Sequence, residues 1–351
     1  GDDSLLVAVQ DCCGTTALRR VLYGAAPSDL SITGGNDLAT GESVDQLTPA
    51  GSTGSEFFAH TNTQVLYEWN GGSFQNSETA PIEGAPKFWM HLDTLYMTRG
   101  TSAVWQVADG NVVELVNNVP LTSFFGWETP GMPEMMGVNL NGVYRRTGYT
   151  QYSLQFANPT LNNLNDIKGD AGSVTWVAVG DGGTILEHAA IWSQIASGTT
   201  DDFTAIGGCG AGDFVLVTRT GKVFHYSFGT VTEDVDFNTN FFPGELDAVG
   251  GSDCGDVWVA GAGGNVYHWD GTAWSDMGAY YTGATFRSIW ARAPGEAYLG
   301  GDNGTLVLYT TGSGTSTIAI PGLTGSVSAL WAAPGGGLFA GGASFLLKGT
   351  E

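Results

Sequence analysis

Lysine is the scarcest chemistry in this chain: Lys87, Lys168, Lys222 and Lys348 are all there is. Lysine and arginine together number 12, against 35 acidic residues, for a net charge of −23 in 351 residues. That balance repels phosphate backbones and anionic lipid surfaces, so nucleic acid is excluded as a partner class. It suits solubility, cationic partners or Ca²⁺. Charged residues of either sign make up only 13% of the chain, and glycine numbers 54. Few strong helix formers and so much glycine exclude a helical bundle or coiled coil. No apolar run reaches about 18 residues, so no helix is expected to insert in a membrane. The apolar share of 42% excludes wholesale disorder. Gly1–Ser4 has neither a basic nor an apolar leader region, so any signal peptide is expected to have been removed.

What is present is a repeat. Val177-Ala178-Val179-Gly180 leads through Asp181-Gly182-Gly183 into Thr184-Ile185-Leu186. Val257-Trp258-Val259-Ala260-Gly261 and Ala297-Tyr298-Leu299-Gly300-Gly301 lead into equivalent turns and second alternating strands. Gly142, Gly183, Gly221, Gly264 and Gly304 put the turns in register, with spacings of 41, 38, 43 and 40 residues. Glycine supplies the positive φ that tight hairpins need. Degenerate copies fall at Ser102, Thr63 and Gly342, making eight turns. A period near 40 with four short strands per unit is the pattern of propeller blades. Ser288–Pro294, Ala329–Pro334 and Val21–Pro27 precede hairpins and read as innermost strands.

The expected fold is therefore all-β, a single β-propeller of eight four-stranded blades over 1–351, with seven or nine blades as alternatives. Residues 1–17 are expected to close the ring by completing a last blade at 329–351. An irregular first blade takes 18–86, with an insertion near 36–54. Further blades take 87–124, 125–165, 166–204, 205–247, 248–287 and 288–328.

Val177–Leu186 and Val257–Trp274 resemble the bacterial propeller repeat of the form D-V-W-A-V-G-x-x-G-x-I-x-H-x-D-G-x-x-W. Secreted and lipid-anchored proteins of myxobacteria and their relatives carry it. A more distant similarity is to Asp-box and photosystem-stability-factor-like propellers. The resemblance covers 163–348 well and 56–162 loosely. It implies a fold and an extracellular, periplasmic or outer-surface setting, and no activity, because propellers host unrelated functions.

Four cysteines in an exported chain favour disulfides. Cys209 and Cys254 fall near matching inner turns of consecutive blades and are expected to bridge them. Cys12 and Cys13 are then left as a strained vicinal pair or two free thiols, with cross-pairing to Cys209 and Cys254 as the other arrangement. No Cys or His spacing suits zinc. His225 and His268 share a slot that holds Glu68, Arg145, Glu187 and Leu308 elsewhere, which marks a variable strand position. Asp181 and Asp302 are candidate Ca²⁺ ligands, but each turn offers few of the six to eight oxygens calcium takes. The run Thr232–Asp236 is a second calcium candidate, read as a solvated loop.

Sialidase chemistry needs three convergent arginines, and none of Arg19, Arg20, Arg99, Arg145, Arg146, Arg219, Arg287 and Arg292 stands in such a motif. Neither a Gly-x-Ser-x-Gly elbow nor a phosphate-cradling loop occurs. Trp89, Trp127, Trp290 and Trp331 lie on or near inner strands, where aromatics pack between blades or line a pocket. The candidate binding residues are Trp127, Trp290, Trp331, Asp181, Asp302 and Asn303, with no catalytic set. The expected function is a non-catalytic recognition module that binds a protein partner as part of a surface assembly. A carbohydrate-binding lectin is the alternative, and a glycan-active hydrolase or lyase at the channel mouth is the third reading.

Overall fold

The computed structural model describes strand paths from Ser4 to Thr350. Side chains are described over 87–89, 96–98, 119–127, 134–148, 151–170, 175–208, 210, 212–278, 284–318, 325–331, 338 and 340. The chain is all-β. Consecutive strands pair antiparallel in seven four-stranded and two three-stranded sheets.

The first sheet is β1 (Ser4–Gln10), β2 (Thr16–Leu22) and β3 (Ser31–Asp37). The second is β4 (Val44–Ala50), β5 (Glu56–Thr61), β6 (Leu66–Trp69) and β7 (Phe74–Glu78). The third is β8 (Phe88–His91), β9 (Thr94–Arg99), β10 (Ala103–Ala108) and β11 (Asn111–Val116). Then come β12 (Ser123–Trp127), β13 (Glu134–Asn139), β14 (Gly142–Arg146) and β15 (Tyr152–Ala157). β16 (Leu164–Asp170), β17 (Thr175–Gly180), β18 (Ile185–His188) and β19 (Trp192–Ile195) follow. Next are β20 (Phe203–Gly210), β21 (Asp213–Thr218), β22 (Val223–Ser227) and β23 (Thr230–Glu233), with α1 (Val235–Asn240) behind them. β24 (Leu246–Asp253), β25 (Asp256–Gly261), β26 (Val266–Trp269) and β27 (Trp274–Asp276) make the seventh sheet. β28 (Phe286–Ala293), β29 (Glu296–Gly301), β30 (Thr305–Thr310) and β31 (Gly314–Thr317) make the eighth. The last has three strands, β32 (Ala329–Ala333), β33 (Gly337–Gly342) and β34 (Phe345–Thr350).

The first strands of seven sheets, β8, β12, β16, β20, β24, β28 and β32, stand side by side round one central channel, and β32 meets β8. The core lies between blades. Val177 and Phe203 belong to one apolar cluster across β17 and β20, and Trp258 and Phe286 to another across β25 and β28. Trp331, on β32, packs against the cluster of Trp89 and Phe124 on β8 and β12, so apolar burial also holds the junction of the last and first members of this ring. β1 pairs with β2 rather than with β34, because a short hairpin gives it a nearer partner.

The repeat turns are where the glycine register places them. Gly142, Gly183, Gly221, Gly264 and Gly304 all have positive φ. Met135 and Met136 enter β13 and are buried. The run Thr232–Asp236 is solvated except at Asp234, but it is not a loop. It ends β23 and starts α1, where Asp234 Oδ1 accepts the Phe237 N–H at 2.8 Å and Oδ2 meets His225 Nε2 and Trp274 Nε1. All of this carboxylate's bonds are internal to the protein, and it caps a helix.

Candidate functional site

Four consecutive inner strands, β16, β20, β24 and β28, begin with an irregular step. The ladder skips one residue between Leu164 and Asp166, Phe203 and Ala205, Leu246 and Ala248, and Phe286 and Ser288. A β-bulge of this kind re-aims the extra side chain. The re-aimed residues are Asn165, Thr204, Asp247 and Arg287, and three of them bond to the next blade. Asn165 Nδ2 donates to Phe203 O at 2.8 Å, and Thr204 Oγ1 donates to Leu246 O. Arg287 Nη1 reaches back to Asp247 Oδ2 at 3.2 Å. The bulges thus build a polar belt at one end of the channel.

Charge on this face is arranged in ion pairs. Arg287 holds Asp302 through both oxygens, Nε to Oδ1 at 3.1 Å and Nη2 to Oδ2 at 3.2 Å. Arg219 bridges Glu245 at 3.0 Å and Asp202 at 3.5 Å. Burial pushes the Asp247 carboxyl up to about 6, Glu245 adds to the rise, and Arg287 and Arg219 oppose it. Asp302 is pushed up by burial too, but its bonds from Arg287 and Ser326 win and hold it below the usual carboxylate range.

Deeper in, the channel encloses a cavity of about 320 Å³. Asp166 projects into it and is fully served: Ser123 Oγ donates at 2.7 Å, Ile167 N–H at 3.0 Å and Ile206 N–H at 3.2 Å, with Lys87 Nζ 3.8 Å away. One step further along the strands stand Phe125, Lys168, Gly207, Gly250, Trp290 and Trp331. Lys168 Nζ lies 4.4 Å from the centre of the Phe125 ring and has no ion pair among the described residues. Burial lowers its pKa, Asp166 opposes that, and Lys87 adds to the lowering. Trp290 and Trp331 pair with ring centres 4.3 Å apart and are half-buried.

Of the expected binding residues, the structure brings only Trp290 and Trp331 together. Trp127 packs at 4.2 Å on Trp176, in the core between two blades. Asp181 is tied by Asn163 and Asn165, at 2.9 and 2.8 Å. Asp302 is clasped by Arg287, and Asn303 beside it holds the turn at φ 59°. No group of three or more metal-ligating side chains occurs among the described residues. Cys254 is free and exposed, so the expected bridge to Cys209 is not made. In the two inner strands Gly207-Gly208 corresponds to Gly250-Gly251, so Cys209 corresponds to Ser252, and Cys254 follows the end of β24 at Asp253. The side chains of Cys209, Cys12 and Cys13 lie outside the described residues. Lys168 and Arg287 were the residues sequence reasoning missed. The available signal was a lysine, one of four in the chain, in a slot that holds glycine in the next two blades and tryptophan in the two after them.

No protein-family model and no curated protein matches the sequence. Solved structures do. The virginiamycin B lyase of Staphylococcus aureus aligns over 76% of this chain and 94% of its own, at 11% identity and a TM-score of 0.65. YCF48 bound to D1 peptide aligns over 78% and 96%, at 14% identity and a TM-score of 0.60. The WD40 repeats of RRP9 align over 75% and 92%, at 11% identity and a TM-score of 0.58. The fold is a β-propeller. Identities this low carry the architecture and no activity. No helix among the described residues is long and apolar enough to cross a membrane.

Proposed function

We propose that this propeller is a non-catalytic recognition module that seats a protein partner on the face bearing the bulge residues, as a subunit of an exported surface assembly. The observation that carries the reading is asymmetry. Equivalent positions at the channel mouth hold Asn165, Thr204, Asp247 and Arg287, and the neighbouring turns begin with Asp181, Arg219, Ala262 and Asp302. A multivalent lectin repeats one polar and aromatic set per blade, whereas a single protein epitope needs one irregular surface. That one similar propeller is solved with a peptide bound supports the same reading. The test is capture from an extract of the source with immobilised wild-type protein and with Arg287→Glu. A polypeptide retained by the first and lost by the second is expected, alongside a blank glycan array in Ca²⁺ and in EDTA. Saturable glycan binding would overturn the reading, and its loss in EDTA would make Asp181 and Asp302 metal ligands.

One observation favours a second reading, a lyase or hydrolase at the channel mouth. Asp247 stands there with its carboxyl pushed up to about 6, in the range of a general base. Turnover of a lyase substrate panel that Asp247→Asn abolishes would support it.

A further inference from the structure

The two lysines and the tryptophan pair line the same cavity that Asp247 and Arg287 border at its mouth. In a chain of net charge −23 with four lysines, Lys87 and Lys168 both line this one cavity. Lys87 has Asp166 at 3.8 Å, and Asp166 is already satisfied by three hydrogen-bond donors. Lys168 has no ion pair among the described residues: it rests on the Phe125 ring and feels the Asp166 carboxylate only from beyond ion-pair distance, while burial lowers its pKa. An ammonium over an aromatic face is only partly compensated once it has left water. Going round the ring, Gly207 and Gly250 stand between Lys168 and Trp290 and offer no side chain to fill the gap. A cavity of about 320 Å³ is at the lower end of the volumes that take small ligands.

We propose that the channel binds a carboxylate carried on a planar aromatic group, with Lys168 as counter-ion and the paired rings of Trp290 and Trp331 as the apolar wall. One uncompensated ammonium selects a monoanion. A second negative charge would face Asp166, and Asp247 at the mouth, without a free cation to meet it. The flat group follows from the wall: two half-buried indoles 4.3 Å apart present area for ring contact and little for a sugar's hydroxyls. The same chemistry comes from a free aromatic acid or from a polypeptide that ends in an aromatic residue.

The test is calorimetric titration of the full chain with indole-3-acetate and with N-acetyltryptophan, each against its neutral amide. One equivalent of acid is expected to bind, with the amide at least about tenfold weaker. Lys168→Met should erase the preference of acid over amide, while Trp331→Leu should weaken acid and amide alike. Lys168→Arg should keep the preference. Removing an unpaired buried charge leaves the fold intact, so thermal melts of Lys168→Met should match or exceed the wild type. Tighter binding of N-acetyltryptophan assigns the site to a chain terminus, and tighter binding of indole-3-acetate to a free acid. No binding of either acid up to about 5 mM, or binding indifferent to Lys168→Met, overturns the proposal. Capture of a protein partner at the Arg287 face is a separate readout, so either result stands without the other.

Discussion

At the scale of single residues, buried carboxylates tie blade to blade. Asp256 opens the D-V-W motif, and a repeated acid at that point was visible in the sequence; its partners were not. Oδ1 accepts the Gly295 N–H at 2.8 Å and lies 2.7 Å from His268 Nε2, while Oδ2 accepts Ser252 Oγ at 2.7 Å. Gly295 belongs to the next blade, and such a partner, 39 residues away, leaves no mark in a local pattern. Asp256→Ala removes an acceptor and strands buried donors, so a loss of about 3 kcal/mol is expected in urea unfolding. Burial raises this carboxyl, but its hydrogen bonds outweigh that and lower it. Its contribution is then whole above the unfolded carboxylate value near 4 and is lost as the pH falls through the lowered folded value. Asp247 has the opposite sign. Raised to about 6, it binds its proton more tightly folded than unfolded, so stability rises as the pH drops from about 6 toward 4. Relative to Asp247→Asn, the wild type should gain about 2 kcal/mol over that interval, read from denaturation midpoints at each pH.

At the scale of elements, the hairpin turn is the part most legible beforehand. Glycine at positive φ has a steric cause that a sequence displays directly. Gly183 also meets a second constraint. A Cβ there would fall 2.0 Å from the Thr199 carbonyl oxygen, whereas at Gly198, with φ 75°, it would meet nothing within 4 Å. Gly198→Ala should therefore cost about 1 kcal/mol for its backbone alone. Gly183→Ala should cost more than about 3 kcal/mol, because two backbone segments must separate as well. Paired chemical denaturation of the two variants checks the contrast, and equal losses would mean that the blade edge is looser than the turn. The bulges were not legible. Asn165, Thr204, Asp247 and Arg287 share no residue type, and a doubled position has no signature beyond the ladder it interrupts. The missed bulge positions left the channel mouth unread, just as matching Cys209 with Cys254 overlooked that Cys209 corresponds in sequence to Ser252.

At the scale of the whole molecule, the ring poses the sharpest question. The sequence suggests eight turns because Phe57–Trp69 carries the same hairpin pattern as the later copies, and β4–β7 is a four-stranded sheet like theirs. Local pattern specifies a blade, but closure is set by which inner strands meet, and that depends on non-local packing. Among the described residues seven inner strands line the channel, β32 lies against β8, and Trp331 joins the cluster of Trp89 and Phe124. A chain of residues 84–351 should then fold by itself, with one cooperative urea transition and the indole circular-dichroism bands of the intact protein. It should also self-associate more than the intact protein, because β34 loses the company of β4 and becomes an open strand edge. An eight-bladed ring predicts the reverse for the same fragment. Removing β4–β7 would open a gap between β32 and β8, expose Trp331, and broaden unfolding into more than one step.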